Sequence, residues 1–186
     1  MNLSGSAKIA GVIGWPVDHS LSPRLHSYWI NAHDIDGAYI PLAVAPENLE
    51  QALLALPKLG FKGVNVTVPH KEAALSLVDA ADDMAKHIGA VNTIVVAANG
   101  SLVGSNTDGE GFLQNILSNV EGWDARSGPA VVLGAGGSAR AVVGALTGAG
   151  CKNIFVVNRT TSKAEALATN FGETTVVCPW SDVATV

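Results

Sequence analysis

The chain has 186 residues, 48% of them hydrophobic and 15% charged, a balance that excludes a disordered polymer and supplies enough apolar mass for one large or two small folded domains. Its net charge of −5 excludes broad phosphate-backbone recognition, so no nucleic-acid partner is expected and positive charge matters only locally. Cys151 and Cys178 lie in no zinc or C-x-x-C spacing, the first residues carry no signal-peptide pattern, and the apolar stretch at 130–150 holds Arg140 and many glycines; the expectation is a reduced, cytoplasmic protein with no metal site and no membrane span.

In chain order, residues 8–14 read as a strand, and Ser22 opens a helix with serine at the N-cap and Pro23 at N1. Residues 38–44 form a second strand, 46–59 a helix stopped by Gly60, 61–68 a third strand and 69–78 a short helix. Strands 91–98 and 101–105 flank Asn99-Gly100, a strong hairpin signal. With those two as the loop, Ala98 faces Ser101 and Asn92 faces Thr107, which brings Asn92 and Asp108 to the same end of the ladder. A helix over 109–120 and a loop over 121–129 follow. Then come strand 130–134, helix 138–148, strand 153–158, helix 163–171 with a Ser162/Glu165 capping box, and strand 174–178. The alternation predicts an α/β fold: an N-terminal, mostly parallel α/β substrate domain (1–108), a connecting helix and loop (109–129), and a Rossmann-type nucleotide-binding domain (130–186). That last domain holds about three strands where a full one has six, so on the order of 70–100 further residues are expected.

The strongest chemical signal is Val131-Val132-Leu133-Gly134-Ala135-Gly136-Gly137-Ser138-Ala139-Arg140, a buried-strand pattern turning through glycines into a helix. Gly134, Gly136 and Ala139 fit G-x-G-x-x-G/A, the turn that sets a pyrophosphate against backbone N–H groups at a helix N-terminus. The next strand ends in Asn158-Arg159-Thr160 with Lys163 behind, two cations where an NAD site has a carboxylate for the ribose. That pair suits a 2′-phosphate and predicts NADP(H).

Four polar groups stand out in the first half. Ser20 and Ser22 lie two apart in a stretch read as extended, so that both hydroxyls point one way beside a helix start, a fair carboxylate clamp. Asn65 and Thr67 share one strand face and Val64, Val66 and Val68 the other; polar residues at the C-terminal end of a parallel strand suit a ligand crevice. Lys71 follows at a helix start, where a cation works against the dipole. Asn92 and Asn106-Thr107-Asp108 complete the set, an ammonium, a carboxylate and neutral hydrogen-bonders that suit a small polyhydroxylated acid.

These pieces also occur together, and in this order, in a known family. The chain resembles the shikimate dehydrogenases through Gly14-Trp15-Pro16, His19-Ser20-Leu21-Ser22-Pro23, Asn65-Val66-Thr67-Val68-Pro69-His70-Lys71, Gly89-Ala90-Val91-Asn92-Thr93, Asn106-Thr107-Asp108-Gly109, Gly134-Ala135-Gly136-Gly137 with Arg140, and Asn158-Arg159-Thr160. The resemblance implies NADPH-dependent reduction of 3-dehydroshikimate to shikimate in aromatic amino-acid biosynthesis. It implies Ser20 and Ser22 on the substrate carboxylate, Thr67, Asn92 and Asp108 on its ring hydroxyls with Asn65 nearby, and Lys71 as the catalytic lysine paired with Asp108. Gly134, Ala135, Gly136, Gly137, Ser138 and Ala139 fall on the pyrophosphate loop, and Asn158, Arg159, Thr160 and Lys163 would hold the 2′-phosphate, with Asp83 as a further acidic residue near the cofactor. Ser27 stands where the family usually has Asn. The family's C-terminal third, which supplies the nicotinamide side of the pocket and a substrate-contacting glutamine, has no counterpart here. Two other readings remain open: an NAD-using quinate/shikimate dehydrogenase, and a non-catalytic shikimate-binding paralogue. Either a monomer or a homodimer is expected.

Overall fold

Runs of aliphatic and β-branched residues bounded by glycine and proline set the strands throughout the chain. The computed structural model describes residues 3–184. The chain divides into two compact units, one running through Lys86 and including Ala90–Ser105, the other made of His87–Gly89 and the chain from Asn106 onward. In order, the elements up to Ser105 are β1 (Lys8–Gly14), α1 (Ser22–Ala32), β2 (Gly37–Ala43), a 3-10 turn (Pro46–Asn48) leading into α2 (Leu49–Ala55), β3 (Phe61–Val66), α3 (Lys71–Leu75), β4 (Ala80–Ala81), α4 (Asp83–Ile88), β5 (Thr93–Val96) and β6 (Leu102–Ser105).

The first unit holds a six-stranded sheet in the order β2-β1-β3-β5-β6-β4. The β2-β1-β3 part is parallel, β3-β5-β6 antiparallel, and the short β4, which the sequence did not reveal, pairs parallel with β6. Residues side by side in a sheet point to the same face, so register decides what each face presents. Gly11, Val64, Ile94 and Gly104 form one row, and Val64 and Ile94 enter the main core with Ile13, Leu49, Leu53, Leu56, Val66 and Leu102. The neighbouring row, Val12-Asn65-Thr93-Ser105, points to the opposite face. There Val12, Val17 and Tyr39 make a smaller cluster with Ala10 and with Ile30 of α1.

Several local details differ from the sequence reading. Thr93 stands opposite Ser105 and Val96 opposite Leu102, one residue out of the expected hairpin register. The loop is Ala98-Asn99-Gly100: Ala97 N–H donates to Ser101 O at 2.9 Å, Gly100 takes φ +85°, and Asn99 Oδ1 accepts from Ser101 N–H at 3.0 Å. A three-residue loop with glycine in the left-handed region competes with the two-residue turn that Asn-Gly suggests, and here it wins. The helix expected over 46–59 is shorter, because Pro57 has no N–H for the Leu53 carbonyl; Leu56 N–H donates to it instead at 3.2 Å. Strand β3 ends at Val66, and Val68, expected to share its buried face, is exposed. Ser22 lies inside the first turn of α1 and does not cap it; the N-cap is Leu21, in a helical conformation. No side-chain cap bond is made at the start of the later helix where Ser162 and Glu165 were expected to close a box, because that helix begins earlier, at Thr161.

The second unit comprises α5 (Asp108–Asn119), β7 (Ala130–Leu133), α6 (Gly137–Gly148), β8 (Ile154–Val157), α7 (Thr161–Phe171) and β9 (Thr175–Val177). Its three strands are parallel in the order β7-β8-β9. Val132, Val143, Leu146, Ile154, Val156, Leu167 and Phe171 form its core. Helices α5 and α6 meet at Gly109, where an added Cβ would stand 2.9 Å from the Ala141 carbonyl oxygen. On the other side of the sheet, Val131, Leu133 and Val176 are exposed, Leu133 to 65%. Among the described residues no helix is long and apolar enough to cross a membrane.

Candidate active site

At the C-terminal ends of β1 and β3 the chain comes close to itself. Thr67 N–H donates to Ile13 O at 2.9 Å, and Trp15 N–H to Val68 O at 3.0 Å. Gly14 makes this approach possible, since a Cβ there would lie 2.5 Å from Thr67 Cγ2. The Ser20-Ser22 stretch is not extended: Leu21 is helical, and Ser22 N–H donates to Ser20 Oγ at 3.3 Å. Ser20 therefore serves the first turn of α1, the task expected of Ser22, and both serines are half-buried where β1 hands over to the helix.

The polar row behind these loops is connected. The Tyr39 hydroxyl donates to Asn65 Oδ1 at 2.6 Å, Asn65 Nδ2 donates to Thr93 Oγ1 at 3.1 Å, and Thr93 Oγ1 donates to Asn92 Oδ1 at 2.9 Å. Asn65 Nδ2 also lies 3.5 Å from the Asn92 carbonyl, which accepts the Val66 N–H at 2.7 Å. Tyr39 is 7% exposed and Asn92 8%. Burial pushes the Tyr39 phenol up to about 12, so it remains a protonated donor at any working pH. His26 of α1 stacks on Tyr39 with ring centroids 4.0 Å apart and planes within 4°, and burial holds its imidazole below the usual histidine range.

Lys71 opens α3, and His70 fixes that start. The His70 ring is 1% exposed and its Nε2 lies 2.7 Å from Val44 O, while its backbone N–H donates to Thr67 O at 2.9 Å. On the other flank, Val91 N–H donates to Lys71 O at 2.8 Å. The lysine is thus pinned between the segment that ends β3 and the segment that brings Asn92 into β5. In the second unit, Asp108 opens α5 and donates its backbone N–H to Oδ1 of buried Asn106 at 3.1 Å, an Asx turn that orients the first turn of the helix.

The glycine turn lies between β7 and α6. Gly134 has φ +117°, a conformation that favours glycine, and an added Cβ on Gly136 would meet no atom within 4 Å. Ala135 is buried, Ala139 half-buried and Ser138 exposed; α6 starts at Gly137 with no side-chain cap bond. The open side of the turn and the helix N-terminus fit a diphosphate. Beyond β8, Asn158 Nδ2 donates to Thr160 O at 2.8 Å and so shapes the loop into α7. Arg159 and Lys163 are exposed at the N-terminal end of α7, whose first turn has no acidic residue. Cations there oppose the helix dipole in the absence of an anion, and a ribose phosphate would reverse that cost. Asp83 is exposed at the start of α4, with Lys86 Nζ 3.7 Å away. That contact is a surface ion pair.

The first unit thus joins Asn65 and Asn92, places Thr67 and Lys71 on the segment following β3, and keeps the two serines at the start of α1. The second holds Asp108, the glycine turn and the basic loop. Tyr39, Thr93 and His26 were assigned no role from the sequence. Thr93 could have been found, since it borders Asn92 within a strand. Tyr39 could not, because its link to Asn65 crosses β1 and depends on a register that is not written locally.

Residues 12–94 match the family model described as the shikimate dehydrogenase substrate binding domain, and residues 117–186 match that of shikimate / quinate 5-dehydrogenase. A shikimate dehydrogenase (NADP(+)) from Rhodospirillum rubrum is 61% identical over 166 residues, which cover 89% of this chain and 59% of that protein. Among solved structures, a shikimate dehydrogenase from Aquifex aeolicus superposes with a TM-score of 0.90 at 38% identity, covering 100% of this chain and 68% of the other. A shikimate 5-dehydrogenase from Thermus thermophilus in complex with NADP(H) and shikimate superposes with a TM-score of 0.80 at 37% identity, covering 94% and 69%. The chain spans 59–65% of the length of the curated relatives it matches.

Proposed function

The chain belongs to the shikimate dehydrogenase family, and on that premise we propose that it reversibly reduces the ring ketone of 3-dehydroshikimate to the hydroxyl of shikimate with NADPH, in the pathway to chorismate and the aromatic amino acids. The observation that carries this reading is the row of amide and hydroxyl groups on β3 and β5, leading into Thr67 and Lys71, within a sheet whose other face is apolar. Such a row has no packing purpose and suits a ligand rich in hydroxyls.

Each group has a task in this reaction. The Ser20 and Ser22 hydroxyls hold the substrate carboxylate, and Thr67, Asn92 and Asp108 take its ring hydroxyls, with Asn65 beside them. As the ketone carbon is reduced, its oxygen gains negative charge and needs a proton. The Lys71 ammonium supplies both the charge stabilisation and the proton, and Asp108 accepts from a substrate hydroxyl as a carboxylate. Gly134, Ala135, Gly136, Gly137, Ser138 and Ala139 would receive the cofactor's diphosphate, and Asn158, Arg159, Thr160 and Lys163 its 2′-phosphate. When bound, the reduced cofactor supplies the hydride. We place the protein in the cytoplasm, consistent with two buried free cysteines, as a monomer or homodimer without a nucleic-acid partner.

The test is shikimate-dependent reduction of NADP+, followed by absorbance, with NAD+ and quinate in parallel. Turnover with NADP+ and shikimate well above the NAD+ or quinate rates is the expected result. Faster turnover with NAD+ would overturn the assignment of Arg159 and Lys163, and shikimate binding without turnover would overturn the catalytic reading in favour of a binding protein.

A further inference from the structure

Backbone hydrogen bonds tie the ends of β1, β2 and β3 together. Val44, just past β2, donates its N–H to Gly14 O at 3.1 Å, Thr67 N–H donates to Ile13 O at 2.9 Å, and Trp15 N–H to Val68 O at 3.0 Å. A buried side chain adds a further tie, His70 Nε2 to Val44 O at 2.7 Å. A carbonyl oxygen only accepts, so Nε2 carries the proton and donates. His70 is the N-cap residue of α3, yet its side chain makes no cap bond to that helix; it reaches to the end of β2 instead. Its backbone is engaged as well: the N–H donates to Thr67 O at 2.9 Å, and the carbonyl accepts from Ala74 N–H at 2.8 Å. One residue therefore joins the end of β2, the turn that carries Thr67 and the first turn of α3, and Lys71 is the next residue along the chain. A phenylalanine would fill the same volume but could not supply the donor, so packing alone does not account for an imidazole here.

We propose that His70 is a positioning residue for the reduction: its imidazole N–H, bonded to the Val44 carbonyl, fixes the backbone from which Lys71 extends relative to Thr67. This rests on the proposed role of Lys71. His70 does not need to touch the ligand. Thr67 keeps its own backbone bond to Ile13, so loss of the imidazole bond falls chiefly on Lys71. Misplacing the group that meets the reacting oxygen slows the chemical step without removing a contact to the bound substrate, and a shift of about 1 Å is enough to be felt in the rate.

Steady-state kinetics beside shikimate affinity by calorimetry, both on the whole chain, test the assignment. His70→Phe keeps a ring and removes the donor; kcat for shikimate oxidation is expected to fall about tenfold while shikimate affinity stays within about threefold. Glutamine sets an amide N–H near the place of Nε2, so His70→Gln should recover kcat to within about threefold, whereas His70→Asn, one methylene shorter, should behave as His70→Phe does. Unchanged kcat in His70→Phe, equal kcat in His70→Gln and His70→Asn, or a loss of shikimate affinity larger than the loss of kcat would overturn the positioning role. Should the unaltered chain show no turnover, the functional reading fails on its own, and a second measurement decides the role of His70. After reductive 13C-methylation of the lysines, the Lys71 amine resonance, assigned by its loss in Lys71→Arg, is followed without ligand. A shift in His70→Asn that returns in His70→Gln supports the positioning role, and no shift in His70→Asn overturns it.

Discussion

Two side chains in the first unit carry distinct consequences for chemistry and for stability. In the proposed reaction Lys71 is the group that attracts and protonates the developing alkoxide. Lys71→Met keeps much of its apolar stem but loses the charge, so kcat for shikimate oxidation should fall by about 10²-fold or more while shikimate affinity changes by less than about tenfold. Steady-state kinetics beside a binding isotherm separate the two. His26 bears on stability. Its folded imidazole is held below the usual histidine range by burial, so the unfolded chain binds the proton more readily. Stability associated with this group is complete above the unfolded pKa and is lost as pH falls through and below it. Urea midpoints measured at about pH 7.5 and about pH 5.5 should therefore drop less for His26→Gln than for the unaltered chain. The residues themselves were the most legible feature: Ser20, Ser22, Asn65, Thr67, Lys71, Asn92 and Asp108 stand out as polar groups in apolar surroundings or at helix starts. Tyr39 was not legible, because a tyrosine in a strand is first of all an apolar body, and only the three-dimensional register shows what its hydroxyl meets.

At the level of elements, six of the seven helices and eight of the nine strands described were foreseen, with ends displaced by a few residues; α4 (Asp83–Ile88) and β4 were not. The misses have local causes. A dipeptide turn signal does not distinguish a two-residue from a three-residue loop, and the hairpin took the longer one because Gly100 accepts φ +85° and Asn99 Oδ1 meets the N–H of Ser101. Gly100→Ala puts a Cβ in the left-handed region and should cost about 1–2 kcal/mol, read by urea denaturation. A cost near zero would mean that the loop can move to the two-residue form. The capping expectations failed for a similar reason: a serine near a helix start is a candidate for several positions, and where the helix begins decides which one it occupies. Strand β4, only two residues long, has too little pattern to be found.

At the scale of the whole molecule, the two-part organisation follows from where glycines and turn residues cluster, and the division by chemistry matches it: hydroxyl- and amide-bearing strands in one unit, a glycine turn with a basic loop in the other. The fold class was legible because alternating strands and helices leave few topologies. The antiparallel β3-β5-β6 arm was legible only at its hairpin, since no local signal sets the β3–β5 pairing. The second unit has one exposed apolar sheet face, with Leu133 at 65% and Val131 and Val176 beside it. A surface of this kind attracts hydrophobic dyes. The native chain should enhance ANS fluorescence, and Leu133→Lys should reduce that signal without altering the far-UV circular dichroism; equal fluorescence from both would show that this face is covered in solution.

Gly14 and Thr67 compete for the volume of a single methyl group, since a β-carbon on the first would overlap the γ-carbon of the second. Position 14 can therefore gain a methyl group only if position 67 gives one up. Alanine at 14 is tolerable when 67 is serine, an exchange that moves one CH3 from one strand end to the other and leaves the hydroxyl in place. Gly14→Ala made alone should abolish shikimate binding, and adding Thr67→Ser should restore it, so a scan of single substitutions here would report a veto where a double substitution finds a neutral path.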